Sequence, residues 1–167
     1  PRIRSQDRFM TLRLHTFGRV HLTRNGEVLS GAAGQRRLLA ILSILAAAGE
    51  RGVTRDKLLS LLWADGDAEK SRHALTQSLY HIRKVLGVDR LFLGTADVRL
   101  DFNEITADVF DFQRATSEGK SDQAVSLYEG PFLDGFYVNG DAEFEFWVST
   151  QRTKFAQQYG DALESLA

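Results

Sequence analysis

"RHALTQSLYHIRKVLG", residues 72–87, reads as an α-helix in which Leu75, Leu79, Ile82 and Leu86 recur at helical spacing and fall in one narrow sector. His73, Thr76, Gln77, Tyr80 and Lys84 lie on the other side, flanked by Arg72 and Arg83. No carboxylate interrupts that side. A solvated helix normally mixes Glu with Lys, because opposite charges one turn apart support each other. A basic face rich in hydrogen-bonding groups instead fits the DNA major groove. There Thr, Gln and His can meet base edges, and Arg, Lys or a Tyr hydroxyl can meet phosphates.

What surrounds this helix gives it a setting. Upstream, "LRLHTFGRVHLTRNGEVL" alternates apolar and polar residues, with Leu12 and Leu14 on one strand face, a break at Phe17-Gly18, then Val20 and Leu22. Asn25-Gly26 is a two-residue hairpin signal, since both residues tolerate positive φ. "GQRRLLAILSILAAAGERG" predicts a helix on Leu38, Ile41, Leu42 and Leu45 that stops at Gly49, and Thr54 is placed to cap a second helix on Leu58, Leu61 and Leu62. Asp65, Asp67 and Glu69 precede the third helix, where carboxylates favour a helix N-terminus. After Gly87, "RLFLGTADVRLDF" reads as a hairpin around Gly94–Asp97. The order is therefore β ribbon, three helices and wing, the plan of a winged helix-turn-helix with a recognition helix at about residues 70–86.

Charge divides the chain. Residues 1–100 hold 17 Lys+Arg against 9 Asp+Glu, whereas residues 101–167 hold 4 against 13. The basic part is suited to an anion and the acidic part to something else. In the acidic part Val109, Phe112 and Ala115 line one predicted helix, and Ala124, Val125 and Tyr128 a second. Gly130-Pro131 turns the chain, and a long helix from about Ala142 carries Phe144, Trp147, Val148, Phe155, Tyr159 and Leu163 as a core stripe.

"FGRVHLTRNGEVL", "RRLLAILSILAAAGERGVTRDKLLSLLW" and "SRHALTQSLYHIRKVLG" resemble, in order and spacing, the winged-helix domain of the SARP-type bacterial activators. Trp63 and "IRKVLG" are the most telling pieces. "ITADVFDFQRA", "AVSLYEGPFLDGF" and "EFWVSTQRTKF" resemble the bacterial transcriptional activator domain that follows in that family. The resemblance implies an α+β winged helix-turn-helix domain followed by an all-α, tetratricopeptide-like helical module. It divides the chain into a loose segment 1–11, a DNA-binding domain 12–103 and a helical domain 104–167 that is expected to continue in a longer regulator. The chemistry of the helix face makes His73, Thr76 and Gln77 the candidate base contacts and Arg72, Tyr80, Arg83, Lys84 and, on the wing, Arg99 the candidate phosphate contacts, and Arg72, Arg83 and Lys84 sit where the family has basic residues. The resemblance further implies that two protomers bind double-stranded DNA head to tail on direct repeats, while the negative charge of the second module argues against DNA contact there and allows RNA polymerase, a second copy or the rest of the chain as its partner. One departure stands out: Asp97-Val98 occupies the place of the family's usual Gly-Tyr pair, and an acid at the wing tip repels phosphate.

Other functions draw little from the residues. Cysteine is absent, which excludes disulfides and Cys-based zinc sites and makes a reducing cytoplasm the expected compartment. No apolar run approaches the roughly 18 residues that cross a bilayer. "GAAGQRR" lacks the Lys-Ser/Thr ending of a phosphate loop. The histidines have no paired metal-ligand spacing on a helix, and His15 and His21 are read as surface residues. Neither a cofactor nor catalysis is expected. The alternative function is a protein-interaction scaffold whose winged helix no longer binds DNA.

Overall fold

A computed structural model describes residues 11–138 and 140–167, so the segment 1–11 lies outside the described residues except for Thr11. The protein is mixed α/β, with two small sheets and, among the described residues, six α-helices. Strands β1 (Leu12–His15) and β2 (His21–Arg24) pair antiparallel, and β3 (Glu27–Val28) follows through the Asn25-Gly26 turn. Asn25 at φ 53° and Gly26 at φ 85° supply the two positive φ values that this tight turn requires. Leu12, Leu14 and Leu22 point inward from this ribbon and are buried.

Helix α1 (Arg36–Ala48) carries its apolar residues round most of its circumference, and Leu38 through Ala46 are all buried, so it forms the central post of the core. Gly49 ends it at φ 66°. Helix α2 (Arg55–Leu62) is capped by Thr54, whose hydroxyl oxygen accepts from the Lys57 N–H at 3.1 Å. Leu58, Leu61 and Leu62 are its buried side. The second sheet consists of β4 (Val53–Thr54), β5 (Phe92–Leu93) and β6 (Asp97–Leu100) in the order β4-β6-β5. Strand β4 is a two-residue piece that the sequence pattern leaves undetected, because one turn of chain has no periodicity to show.

The acidic half is joined to the basic half by backbone as well as by side chains. Strand β7 (Ile105–Ala107) pairs parallel with β1, aligning Thr106 with Arg13, and completes the order β3-β2-β1-β7. Helix α4 (Asp108–Ser117) then places the Asp108 carboxylate beneath the end of β1. There it accepts from Thr16 N–H (2.9 and 3.0 Å), Thr16 Oγ1 (2.6 Å), Phe17 N–H (3.0 Å) and Val109 N–H (2.8 Å). Helix α5 (Ser121–Leu127) packs back on α4, and α6 (Ala142–Leu166) packs on α5 and α2. Between α5 and α6 the chain runs against residues 16–18: Leu133 N–H donates to Thr16 O at 2.8 Å, Gly18 N–H to Pro131 O at 2.9 Å and Asp134 N–H to Gly18 O at 3.0 Å. Phe17, read from sequence as a break, is a buried residue of a continuous core that includes Phe112, Phe132 and Phe155.

The module expected to be all-α from residue 104 opens instead with strand β7, because its alternating Ile105 and Ala107 are buried against β1, and two further expectations need correction. On α6 the buried positions are Phe144, Val148, Phe155 and Ala162. Seven residues beyond Phe155 is 162, so the stripe passes through Ala162 and leaves Leu163 43% exposed. His15 and His21 are not free surface residues. They face each other across β1 and β2 with rings stacked at 4.4 Å, and the His15 Nε2 and Thr23 hydroxyl share a hydrogen bond at 2.9 Å.

Burial, and then the stacked His21, hold the His15 imidazole below its ordinary pKa of 6.5. The unfolded chain therefore binds this proton more readily. Stability from His15 is complete above about pH 6.5 and falls as the pH drops through the lowered folded pKa. His15→Gln should lose less thermal stability than the parent between about pH 7.5 and pH 5. Identical losses in the two proteins would show that His15 carries none of the pH dependence.

Candidate nucleic-acid interface

Helix α3 (Ala68–Leu86) starts at Asp67, whose carboxylate accepts from the Lys70 N–H at 3.3 Å, and Glu69 adds a carboxylate to the first turn. It ends at Gly87, at φ 67° and ψ 30°, with Val88 N–H donating to Arg83 O at 3.1 Å and Gly87 N–H to Lys84 O at 3.3 Å. Arg83 and Lys84 occupy the last turn, where cations complement the helix dipole. Arg24 of β2 donates to the Leu86 carbonyl and ties the helix end to the ribbon.

Ser71, Leu75, Leu79, Ile82 and Leu86 are buried, which fixes the rotation of α3 about its axis. Arg72, His73, Thr76, Gln77, Tyr80 and Lys84 are exposed together on the opposite side. Tyr80 is 55% exposed despite its size, and the Lys84 ammonium sits 5.4 Å from its ring centroid, a cation–π contact that holds both at the surface. Arg83 is half-buried, so part of its stem covers the core while its flank position is kept. The Thr76 hydroxyl donates to Arg72 O at 3.1 Å, leaving its oxygen lone pairs as acceptors toward solvent.

The wing is set by α2. Arg55 donates from Nε to Thr95 O at 3.1 Å and from its backbone N–H to Ala96 O at 3.4 Å. Asp97 does not occupy the tip. It is the first residue of β6 and pairs with Thr54, so the tip consists of the neutral residues 94–96. Arg99 is exposed on the face of β6 opposite the buried Val98 and Leu100. It lines a cleft with Glu50, Asp101, Asp111 and Arg114, and no residue of α3 enters that cleft. The structure thus brings seven of the eight candidate residues together on α3 and sets Arg99 apart, among carboxylates.

Sequence reasoning passed over His81. It is exposed one turn beyond Gln77, and both line a groove with Gln35, Arg37 and Ala74 between α1 and α3. The i, i+4 spacing from Gln77 is the signal that places it there. Arg37 was also missed. Its guanidinium donates to Leu62 O at 2.7 Å, lies 4.6 Å from the Trp63 ring centroid and pairs with Asp141 at 3.4 Å, joining α1, the end of α2 and the start of α6. Only the folded chain reveals these three neighbours.

The fold is similar to that of EmbR. The likeness to EmbR of Mycobacterium tuberculosis, solved in complex with a low-affinity phosphopeptide, has a TM-score of 0.65 at 22% sequence identity. It covers 90% of this chain and 43% of that one, so the chain spans less than half of its structural neighbour. No family model and no curated protein matches the chain. No helix among the described residues is long and apolar enough to cross a membrane.

Proposed function

We propose that the chain is a sequence-specific DNA-binding regulator of transcription, without a catalytic role. The carrying observation is the exposed face of α3, where Arg72, His73, Thr76, Gln77, Tyr80 and Lys84 stand opposite a fully buried leucine stripe with no carboxylate beyond the first turn. The fold likeness to EmbR, a SARP-family transcriptional regulator, supports the same reading. In it, residues 12–103 form a winged helix-turn-helix that lays α3 in the major groove of double-stranded DNA. Residues 104–167 form a module, helical after strand β7, for protein contacts, with RNA polymerase as one partner. Two protomers bind head to tail on direct repeats, and the protein works in the cytoplasm.

Roles divide along the face. Phosphate contacts add affinity without sequence information, and each one lost flattens the dependence of log affinity on log salt by about 0.9. Lys84→Ala and Arg72→Ala should therefore weaken binding to all duplexes alike and lower that slope. Gln77 has the geometry for two hydrogen bonds to adenine, and Thr76, with its hydroxyl proton engaged, is left to accept from a base amino group. Replacing either by Ala should cost about 1–3 kcal/mol on the preferred site and almost nothing on random DNA. Site selection from a random library and affinities at several salt concentrations give both quantities. Should Gln77→Ala and Thr76→Ala leave the selected sequence and its advantage intact, α3 does not read bases, and the scaffold function takes precedence.

A further inference from the structure

The cleft beside Arg99 mixes acids with bases, but a second cleft does not. It has a volume of about 620 Å3, is walled by α1, α2, α4 and α6, and receives nothing from α3. Ligand pockets are commonly roughly 300–1,000 Å3, so its size suits a small organic molecule. Three cations line it, Arg51, Lys57 and Lys154, and no carboxylate does. None of the three forms an ion pair among the described residues, where Arg13, Arg37, Arg114 and Lys120 do. All three are exposed, and the Lys154 ammonium lies 5.5 Å from the Phe155 ring centroid; like charges lining one hollow repel each other, and an anion bound among them offsets that repulsion.

The rest of the lining is of another kind. Ile44, Ala47 and Leu61 make an apolar floor, and the half-buried Trp147 rests on Phe144 and Phe132 and turns its remaining surface to the cleft. Gln113 spends its amide N–H on Ala47 O at 2.9 Å, which leaves its carbonyl oxygen as an acceptor, and Gln151 adds a second carboxamide. Cations alone suit any polyanion. Cations beside an indole, an apolar floor and carboxamides suit an anion that also carries a flat, hydrogen-bonding ring.

We propose that this cleft binds a small aromatic polyanion of nucleotide size, its negative groups held by Arg51, Lys57 and Lys154 and its ring set against Trp147. The site is separate from the α3 face and independent of what that face binds.

ATP, adenosine and tripolyphosphate, titrated calorimetrically into the 167-residue chain at low salt, test this. ATP should bind once per chain, and adenosine and tripolyphosphate each at least about tenfold more weakly, because each satisfies half of the lining. Lys154→Glu and Arg51→Glu replace exposed side chains and should each weaken ATP about tenfold or more. Trp147→Leu should weaken ATP and leave tripolyphosphate unchanged. Three results overturn the proposal. One is no saturable ATP binding up to about 1 mM. Another is ATP binding that fails its controls, matched in affinity by tripolyphosphate or unmoved by Lys154→Glu. The third is Lys154→Glu lowering the salt slope of duplex DNA binding by about 0.9 while ATP is not bound, which makes the cleft part of a DNA-backbone surface.

Discussion

Asp108→Ala should destabilise the protein by about 3 kcal/mol or more, because a buried donor left without its acceptor costs roughly 1–3 kcal/mol and this change strands several. Asp108 is 6% exposed, and its carboxylate is the acceptor for Thr16 N–H, Thr16 Oγ1, Phe17 N–H and Val109 N–H. Water has little access to replace it. Asp108→Asn keeps the shape but turns one oxygen into a donor that faces other donors, so it should recover only part of the loss. Thr16→Ala removes a hydroxyl together with its need for an acceptor and should cost about 1 kcal/mol. Urea unfolding of the three variants separates these values. A loss of less than about 1 kcal/mol for Asp108→Ala would mean that the carboxylate is not what holds β1 to α4.

Phe17→Ala should cost about 3–5 kcal/mol, the range for a buried aromatic whose cavity cannot collapse. Its ring lies 5.0 Å from Phe112, 4.9 Å from Tyr128, 6.2 Å from Phe132 and 5.7 Å from Phe155, measured between centroids. Every one of those partners belongs to the acidic half of the sequence. A double-mutant cycle with Phe155→Ala should give a coupling of about 0.5–1.5 kcal/mol, the worth of an edge-to-face pair beyond its buried area. Unfolding followed separately by β-sheet and aromatic signals should coincide. Two separated transitions, or strict additivity of Phe17→Ala and Phe155→Ala, would show that the halves are energetically independent.

These two residues mark where reading the sequence stops. Elements that depend on near neighbours were legible: the leucine stripe of α3, the Asn25-Gly26 turn, the Thr54 cap and the glycine stops at 49 and 87 each follow from residues within one or two turns. Phe17 and Asp108 gave no such signal. A lone Phe before a Gly looks like the end of a strand, and an Asp at the start of a helix looks like a dipole partner for its own first turn. What they do is set by chain about ninety or more residues away, which no local periodicity encodes. The candidate interface divides in the same way. Which side of α3 faces out was legible from spacing, since burial of one stripe dictates exposure of the other. The half-burial of Arg83, the acidic company of Arg99 and the groove shared by Gln77 and His81 are products of packing between elements. On α6 the pattern misled at Leu163 because a stripe of large residues looks continuous even where a small one, Ala162, takes the buried position.

The parallel pairing of β1 with β7 carries a consequence for how the protein is made. Arg13 and Thr106, its matched residues, are 93 positions apart. A ribosome adding roughly 5–20 residues per second needs about 5–20 s to supply the second strand after the first. For that interval β1 has emerged with one edge unpaired, and Leu12, Leu14 and Phe17 have no finished core to enter. An open strand edge beside apolar side chains is the kind of surface on which nascent chains join one another. Crowded translation of this message therefore favours clumping among half-made copies, and slowing synthesis prolongs the exposure instead of relieving it.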